Sequence, residues 1–315
     1  MGITRQQALD CFTSDDLIGI GMEADAVRRS LHPEGVVSYT IDRSLDCSST
    51  DLLALYDEVR NTVDMGATGI LLHSDAQQHV QLDHFETLFE GIKKRFPWVW
   101  LHGLSATQIL ALASSSQISL RDTIARLHAA GLDSIASNAV ILNDAVRQRV
   151  APDKCTTSDW ISVHRTAHQL GLRTTATMIF GVGESMAQRI DHLEILRNLQ
   201  QDTGGFTAFT PLAHQAGAAP FDVPEPTAVE YLKTLAISRL YLDNIENLQG
   251  SWATQGLKVL QMGLRFGGND VGSVLLEERF SKPGGATEEE LRRIIREAGF
   301  KPAQRDTLYR TLFLN

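Results

Sequence analysis

Short β-rich apolar runs recur along this chain at roughly 30 to 40 residue intervals, the length of one βα unit. Amphipathic helical stretches fill the gaps, which is the pattern of a βα-repeat fold. The runs fall at 36–41, 69–73, 99–102, 133–136, 173–180, 206–210, 245–249 and 264–267. Eight units predict an α/β chain closed into a (β/α)8 TIM-type barrel. Helices are expected over 50–63, where Leu52, Leu55, Tyr56 and Val59 share a face, and over 158–170, 185–199 and 227–242. Residues 4–31 read as two helices packed outside the barrel. Thr287, followed three residues later by Glu290, reads as a capping box that opens a helix over 287–298.

A chain of 315 residues can bury one large core, and no linker long enough to divide it is evident. The expected organisation is a single barrel domain: an N-terminal helical extension over 1–34, a barrel core over 35–275, and a C-terminal helical extension over 276–315. With 43% hydrophobic and 21% charged residues, disorder is not the default state. No apolar run approaches the roughly 20 residues of a membrane span. The first residues lack a basic stretch leading into an apolar one, so no secretory signal is read there. A net charge of −9, with basic clusters no longer than Lys93-Lys94-Arg95, argues against a nucleic-acid surface. The three cysteines, Cys11, Cys47 and Cys155, are scattered without a pairing pattern, which favours the cytoplasm.

Active sites in such barrels lie at the C-terminal ends of the strands. Those ends carry Asp42 and Arg43, His73 to Asp75, His102, Ser137 and Asn138, Thr175 and Thr177, Thr210 and His214, Gln249 to Trp252, and Asn269 and Asp270. His73, Asp75, His102 and His214 are the residue types for proton transfer near neutral pH. Arg43, Asn138, Thr177, Gln249, Ser251, Trp252, Asn269 and Asp270 are the expected substrate-binding set. Any single His or Asp among them, taken alone, reads first as a cap or a satisfied loop residue. Their convergence on one barrel mouth carries the argument.

Several long strings are more specific: GLRTTATMIFG at 171–181, DTGGFTAFTP at 202–211, LAISRLYLDNI at 235–245, SWATQG at 251–256, FGGND at 266–270 and EAGFKPAQRDTLY at 297–309. Through them the chain, from Ala8 to Tyr309, resembles the menaquinone-pathway radical S-adenosylmethionine (SAM) enzymes of the dehypoxanthine futalosine cyclase and aminofutalosine synthase type. The resemblance implies a radical-SAM-type barrel with a nucleoside-sized pocket. It also implies that Trp252, Gln255 and Asn269 face that pocket, and that Arg305 and Tyr309 sit on a C-terminal helix packed nearby.

The departures from that family gather on the cofactor side. The family holds a [4Fe–4S] cluster on a CxxxCxxC loop after strand one, and three thiolates are needed to hold it. Here the loop reads DRSLDCSSTDLL, with Cys47 alone. The Gly-Gly turn after strand two is replaced by LLHSDAQQHV, whose His73, Ser74 and Asp75 would fill the space glycines leave open. MIFGVGE at 178–184 keeps the strand-five pattern that packs the adenine of SAM in the family, through Gly181 and Glu184. Equally, Glu184 is a carboxylate favourable in a first helical turn.

These features predict a cluster-free homologue with no [4Fe–4S] centre, no required cofactor and no assigned metal site. It would act by acid–base chemistry on a ring-bearing small molecule, with no nucleic-acid or membrane partner. A homo-oligomer or a partner enzyme is compatible with the sequence. Three alternatives stand beside this reading. One is an inactive binding partner of an active homologue. Another is a zinc hydrolase built from His73, Asp75, His102, His214 and Asp270. The third is a SAM-dependent methyltransferase using the strand-five motif.

Overall fold

Along the first strand, β1 (Val36–Asp46), alternate residues take opposite faces. Val37, Tyr39 and Ile41 join an outer apolar cluster, whereas Thr40 and Asp42 line the barrel interior. The computed structural model in which this is seen describes residues 2–47, 49, 51–73, 81–215, 223–275 and 286–314.

Parallel pairing then runs from β1 to β2 (Gly69–His73), β3 (Trp100–Ser105) and β4 (Ser134–Ala136). A second parallel sheet comprises β5 (Thr174–Phe180), β6 (Phe206–Ala213) and β7 (Asn247–Leu248). β8 (Asp270–Leu275) pairs back onto β1, and a Gln249–Asp270 bridge ties it to the end of β7. Between β4 and β5 no strand ladder forms. There the Thr177 amide donates to Ser137 Oγ at 2.9 Å, and the Ile179 amide to the Val140 carbonyl at 2.6 Å. Eight strands thus enclose a lumen, with one seam closed by a side-chain bond and a backbone bond in place of a ladder.

Helices cover the outside: α3 (Leu52–Asp64), α4 (Leu82–Arg95), α5 (Ala106–Ser116), α6 (Leu120–Ala130), α7 (Asp144–Val150), α8 (Thr157–Gln169), α9 (Met186–Thr203), α10 (Ala228–Tyr241) and α11 (Trp252–Gly263). Their apolar faces meet the outward strand residues in one continuous core that includes Leu72, Leu101, Met178 and Phe209. Each fully buried large apolar side chain there contributes roughly 1.5–3 kcal/mol. The helices start where the local chemistry dictates. Ser105 with Gln108, and Ser185 with Gln188, form capping boxes that satisfy otherwise orphaned amides. The N-terminal helices α1 (Arg5–Thr13) and α2 (Leu17–Leu31) pack on α9 and α10, as expected. Among the described residues no helix is long and apolar enough to cross a membrane.

Two expectations are corrected. The apolar run 264–267 is not strand eight. It is the helical turn that finishes α11, with the Arg265 and Phe266 amides bonded to the Met262 and Gly263 carbonyls. Strand eight begins at Asp270, so FGGND leads into it rather than out of it. Nor is the C-terminal segment wholly helical. After α12 (Glu288–Glu297), whose Thr287–Glu290 capping box is as read, β9 (Lys301–Arg305) pairs parallel to the first half of β1. β10 (Thr311–Leu314) returns antiparallel to β9. Arg305 and Tyr309 therefore belong to a strand and its turn, beneath the N-terminal end of the barrel. Asp306 holds the turn by accepting the Leu308 and Arg310 amides, each at 2.9 Å.

Candidate active site in the barrel lumen

A cavity of about 270 Å³ occupies the lumen. Asp42 from β1, His102 from β3, Thr177 from β5, Thr210 from β6, Gln249 after β7 and Ser273 from β8 line it, and Arg305 and Tyr309 enter from the C-terminal hairpin. The hairpin places these last two residues because β9 continues the sheet at the start of β1, below the point where β2 begins to pair.

The floor is organised by one carboxylate. Arg305 donates from Nε to Asp270 Oδ2 at 2.5 Å and from Nη2 to Oδ1 at 2.9 Å. Ser38 Oγ donates to Oδ2 at 2.5 Å and the Gly272 amide to Oδ1 at 2.8 Å. Burial works most strongly against the Arg305 charge, but Asp270, Tyr309 and Asp42 together outweigh it and raise the guanidinium pKa. The Arg305 guanidinium lies 3.9 Å from the Tyr309 ring centroid, a cation–π contact. Burial pushes the Tyr309 phenol pKa well up, so the group stays protonated.

Asp42 stands apart from that pair. Burial pushes its carboxyl pKa up to about 6; Arg305 and a Thr40 hydrogen bond pull it down, and Asp270 pushes it further up. Asp42 is half-buried and lines the lumen. His102 is displaced in the opposite direction: burial lowers it to about 4, so its imidazole is neutral at physiological pH. Its Nδ1 pairs with Ser134 Oγ at 2.6 Å, and the Trp100 indole N–H donates to the same oxygen at 2.8 Å.

Of the residues expected at the site, His102, Thr177 and Gln249 line the cavity, and Asp270 anchors its floor. His73 lies on the same strand face, two residues beyond the Leu71–His102 pair, so about 7 Å higher. It is exposed and pairs through Nδ1 with Ser44 Oγ at 2.9 Å. Asp75 lies outside the described residues. His214 is buried directly after β6, its amide bonded to the Phe180 carbonyl at 2.9 Å. Asn138 is exposed beyond β4 in a left-handed conformation, φ 39°.

Other residues point elsewhere. Arg43 turns outward, because β1 alternates, and donates to Thr62 of α3 at 3.3 Å. Ser251 caps α11 and gives its amide to the Tyr231 hydroxyl at 2.7 Å. Trp252 is the first residue of α11, and its ring packs in the outer cluster with Val37, Tyr39 and Leu291; this corrects its expected place at the pocket. Asn269 is buried at the N-terminal end of β8, away from the mouth. Its Oδ1 accepts from Arg239 and the Leu248 amide, each at 2.8 Å.

The strand-five motif is fully engaged. Glu184 accepts the Gly181 and Val182 amides, each at 2.8 Å, and forms a buried ion pair with Arg189 at 2.6 Å. Gly181 has φ 83°, and a Cβ there would strike the Pro226 ring. The three cysteines occupy separate places: Cys11 in α1, Cys47 after β1, and Cys155 before α8. The Cys47 thiol is buried and donates to the His73 carbonyl at 3.0 Å, and burial pushes its pKa up to about 12. Among the described residues no three His, Cys, Asp or Glu side chains converge to hold a metal ion.

Ser273 is missed from sequence, and Arg305 and Tyr309, expected on a helix near the pocket, line the lumen from a strand and its turn. Ser273 follows from the correct placement of β8. Arg305 and Tyr309 depend on a β1–β9 pairing across most of the chain, which no local periodicity announces.

The fold is that of the radical SAM barrels. Methylornithine synthase superposes with a TM-score of 0.74 over 96% of this chain and 95% of its own, at 15% identity. The model for the CofH/MqnC C-terminal region matches residues 203–314. Cyclic dehypoxanthine futalosine synthase of Streptomyces coelicolor is 35% identical, over 99% of this chain and 86% of the relative. Aminodeoxyfutalosine synthase of Thermus thermophilus is 36% identical, over 80% of this chain and 71% of the relative. The chain belongs to the radical SAM menaquinone-biosynthesis family of these futalosine synthases, as a divergent member without the CxxxCxxC motif.

Proposed function

We propose that this chain is a cluster-free, non-radical member of its family. It closes, eliminates from or hydrolyses a ring-bearing, nucleoside-like small molecule by acid–base chemistry in the lumen, in the cytoplasm and without a cofactor. The observation that carries the reading is Asp42, a carboxyl held at about pKa 6 and facing the cavity. Such a group exists in both protonation states near neutral pH, the condition for efficient proton transfer. It is worth on the order of 10²–10⁴-fold in rate. His102, neutral and fixed by Ser134, is suited to polarise or orient the substrate through its remaining ring nitrogen. The hydroxyls of Thr177, Thr210 and Ser273 and the Gln249 amide supply further polar contacts. The enclosing barrel keeps bulk water from the reacting atoms.

The cysteines do not suit an iron–sulfur cluster. They lie on separate elements, and the one beside the former loop is a buried thiol committed to a backbone carbonyl. Gly181 and Glu184 are read as a lock for the strand-to-helix turn rather than as an adenine subsite, because Glu184 is spent on two amides and Arg189. A hydrogen-bonded lumen with room for a ligand favours an enzyme over an inactive partner.

The test is turnover of dehypoxanthine futalosine by the aerobic protein, without added iron, SAM or reductant, followed by mass spectrometry. The expected result is a cyclised, eliminated or hydrolysed product, formed at least 10²-fold more slowly by Asp42→Asn. Product that requires SAM, or a rate unchanged in Asp42→Asn, contradicts the reading.

A further inference from the structure

We infer that Ser134, oriented by Trp100, holds His102 as the tautomer protonated on Nε2. The lumen then meets a neutral hydrogen-bond donor at His102, and the ligand sets an acceptor atom, such as a carbonyl oxygen, against it. The inference rests on the acid–base reading of the same cavity and deepens it, because proton movement then falls to Asp42.

The direction of each hydrogen bond follows from what the groups can do. Ser134 of β4 stands opposite His102 of β3 in the parallel register, and Trp100 lies two residues before His102 on the same strand face. An indole N–H can only donate, so Ser134 Oγ is the acceptor of the 2.8 Å bond from Trp100. The Ser134 hydroxyl is buried and has one proton of its own to give. Its other partner among the described residues is His102 Nδ1, at 2.6 Å. If Nδ1 carried the ring proton, the serine proton would be left buried without an acceptor, which is the costly arrangement. Nδ1 therefore accepts from Ser134, and the single N–H of the neutral ring sits on Nε2.

Nε2 is free to use that proton. It has no hydrogen-bond partner among the described residues. Nor is it sealed in the interior, as the unpartnered Nε2 atoms of His164 and His192 are. His102 lines the lumen, so Nε2 is the polar atom it can offer a ligand there. A donor already fixed by its neighbours needs no reorganisation, and it suits an oxygen on which negative charge develops. Ser134 and Trp100 do not line the cavity. They are positioning residues that act through the imidazole.

The test reads the His102 ring nitrogens in protein labelled with nitrogen-15 histidine, by long-range proton–nitrogen correlation near neutral pH, with His102→Gln supplying the assignment. The parent should show a protonated, pyrrole-type Nε2 and an unprotonated, pyridine-type Nδ1. Ser134→Thr keeps the hydroxyl and should keep that pattern, whereas Ser134→Ala should show both tautomers. A pyrrole-type Nδ1 in the parent overturns the tautomer assignment, and a Ser134→Ala pattern identical to the parent overturns the role of Ser134. Turnover of dehypoxanthine futalosine then tests the donor. His102→Leu should be slower by about 10²–10³-fold, the effect of losing one preorganised donor, and His102→Gln, whose amide can still donate, should recover at least about tenfold of that loss. Equal rates in the Leu and Gln variants overturn the donor role. The acid–base reading is judged separately, by the turnover of Asp42→Asn, and its failure leaves the ring spectra to decide the tautomer.

Discussion

Arg305 and Asp270 join the two ends of the barrel wall: a guanidinium carried by the C-terminal hairpin grips, through two hydrogen bonds, the first residue of the last barrel strand. Both side chains are almost wholly buried, 5% and 0% exposed. A buried pair of this kind is costly to break from one side, because the remaining charge is stranded.

Asp270→Asn is therefore expected to lose about 3–5 kcal/mol of stability in urea denaturation. It should also lower the Asp42 pKa, because a neighbouring negative charge is removed while Arg305 remains. A loss below about 1 kcal/mol would show that the floor does not depend on the pair.

Asp42 supplies a pH signature of its own. Its pKa rises from 3.8 to about 6 on folding. Between those values the native state binds more protons than the unfolded state, so this group's contribution to stability is lost as pH rises through about 6. Asp42→Asn removes that loss. The variant should gain on the order of 1–3 kcal/mol over the parent at pH 7.5, shrinking toward zero near pH 4. Parallel stability curves for the two proteins across this range would contradict the buried carboxyl.

The buried histidines act in the other direction. Burial lowers His102 and His168 to about 4 and His192 to about 3, from 6.5. Below pH 6.5 the unfolded chain takes up protons that the native chain refuses, so stability falls as pH drops from about 6.5 toward 4. These three groups together outweigh Asp42, and the net effect is acid destabilisation. His192→Gln can keep an acceptor for the Leu142 amide, now bonded to Nδ1 at 2.9 Å, and should flatten the acid limb. An unchanged limb in that variant would assign the proton uptake elsewhere.

Gly181→Ala tests the structural reading of the strand-five motif. The left-handed φ and the Pro226 contact predict a loss of about 2–4 kcal/mol, measured by thermal or urea unfolding. A neutral effect would free the glycine for another purpose.

The legible parts of the fold were those written in local periodicity. β2 and β5 stand out as apolar runs bounded by Gly69 and Gly181, and α3, α8 and α9 as amphipathic stretches with caps. Strand eight was misread because Leu264 and Phe266 are apolar for a different reason, the packing of a helix end. β9 escaped because its sequence, KPAQR, is polar, yet Pro302 to Arg305 are all buried between β1 and the hairpin. In the site, His102, Thr177 and Gln249 could be read from strand positions. Trp252 could not, because whether a residue after a strand turns inward or begins the next helix depends on the turn. Asp42 was visible as a strand-end carboxylate, but its raised pKa is a product of enclosure, which sequence does not display.

The most direct test of the central claim is iron content after anaerobic reconstitution with excess iron and sulfide. A cluster requires three thiolates on one loop, and this chain offers Cys47 alone beside the former cluster position, with its thiol buried and bonded to the His73 carbonyl. The prediction is no charge-transfer absorbance and only traces of iron after desalting. About four irons per chain, with the spectrum of a [4Fe–4S] centre, would contradict the account.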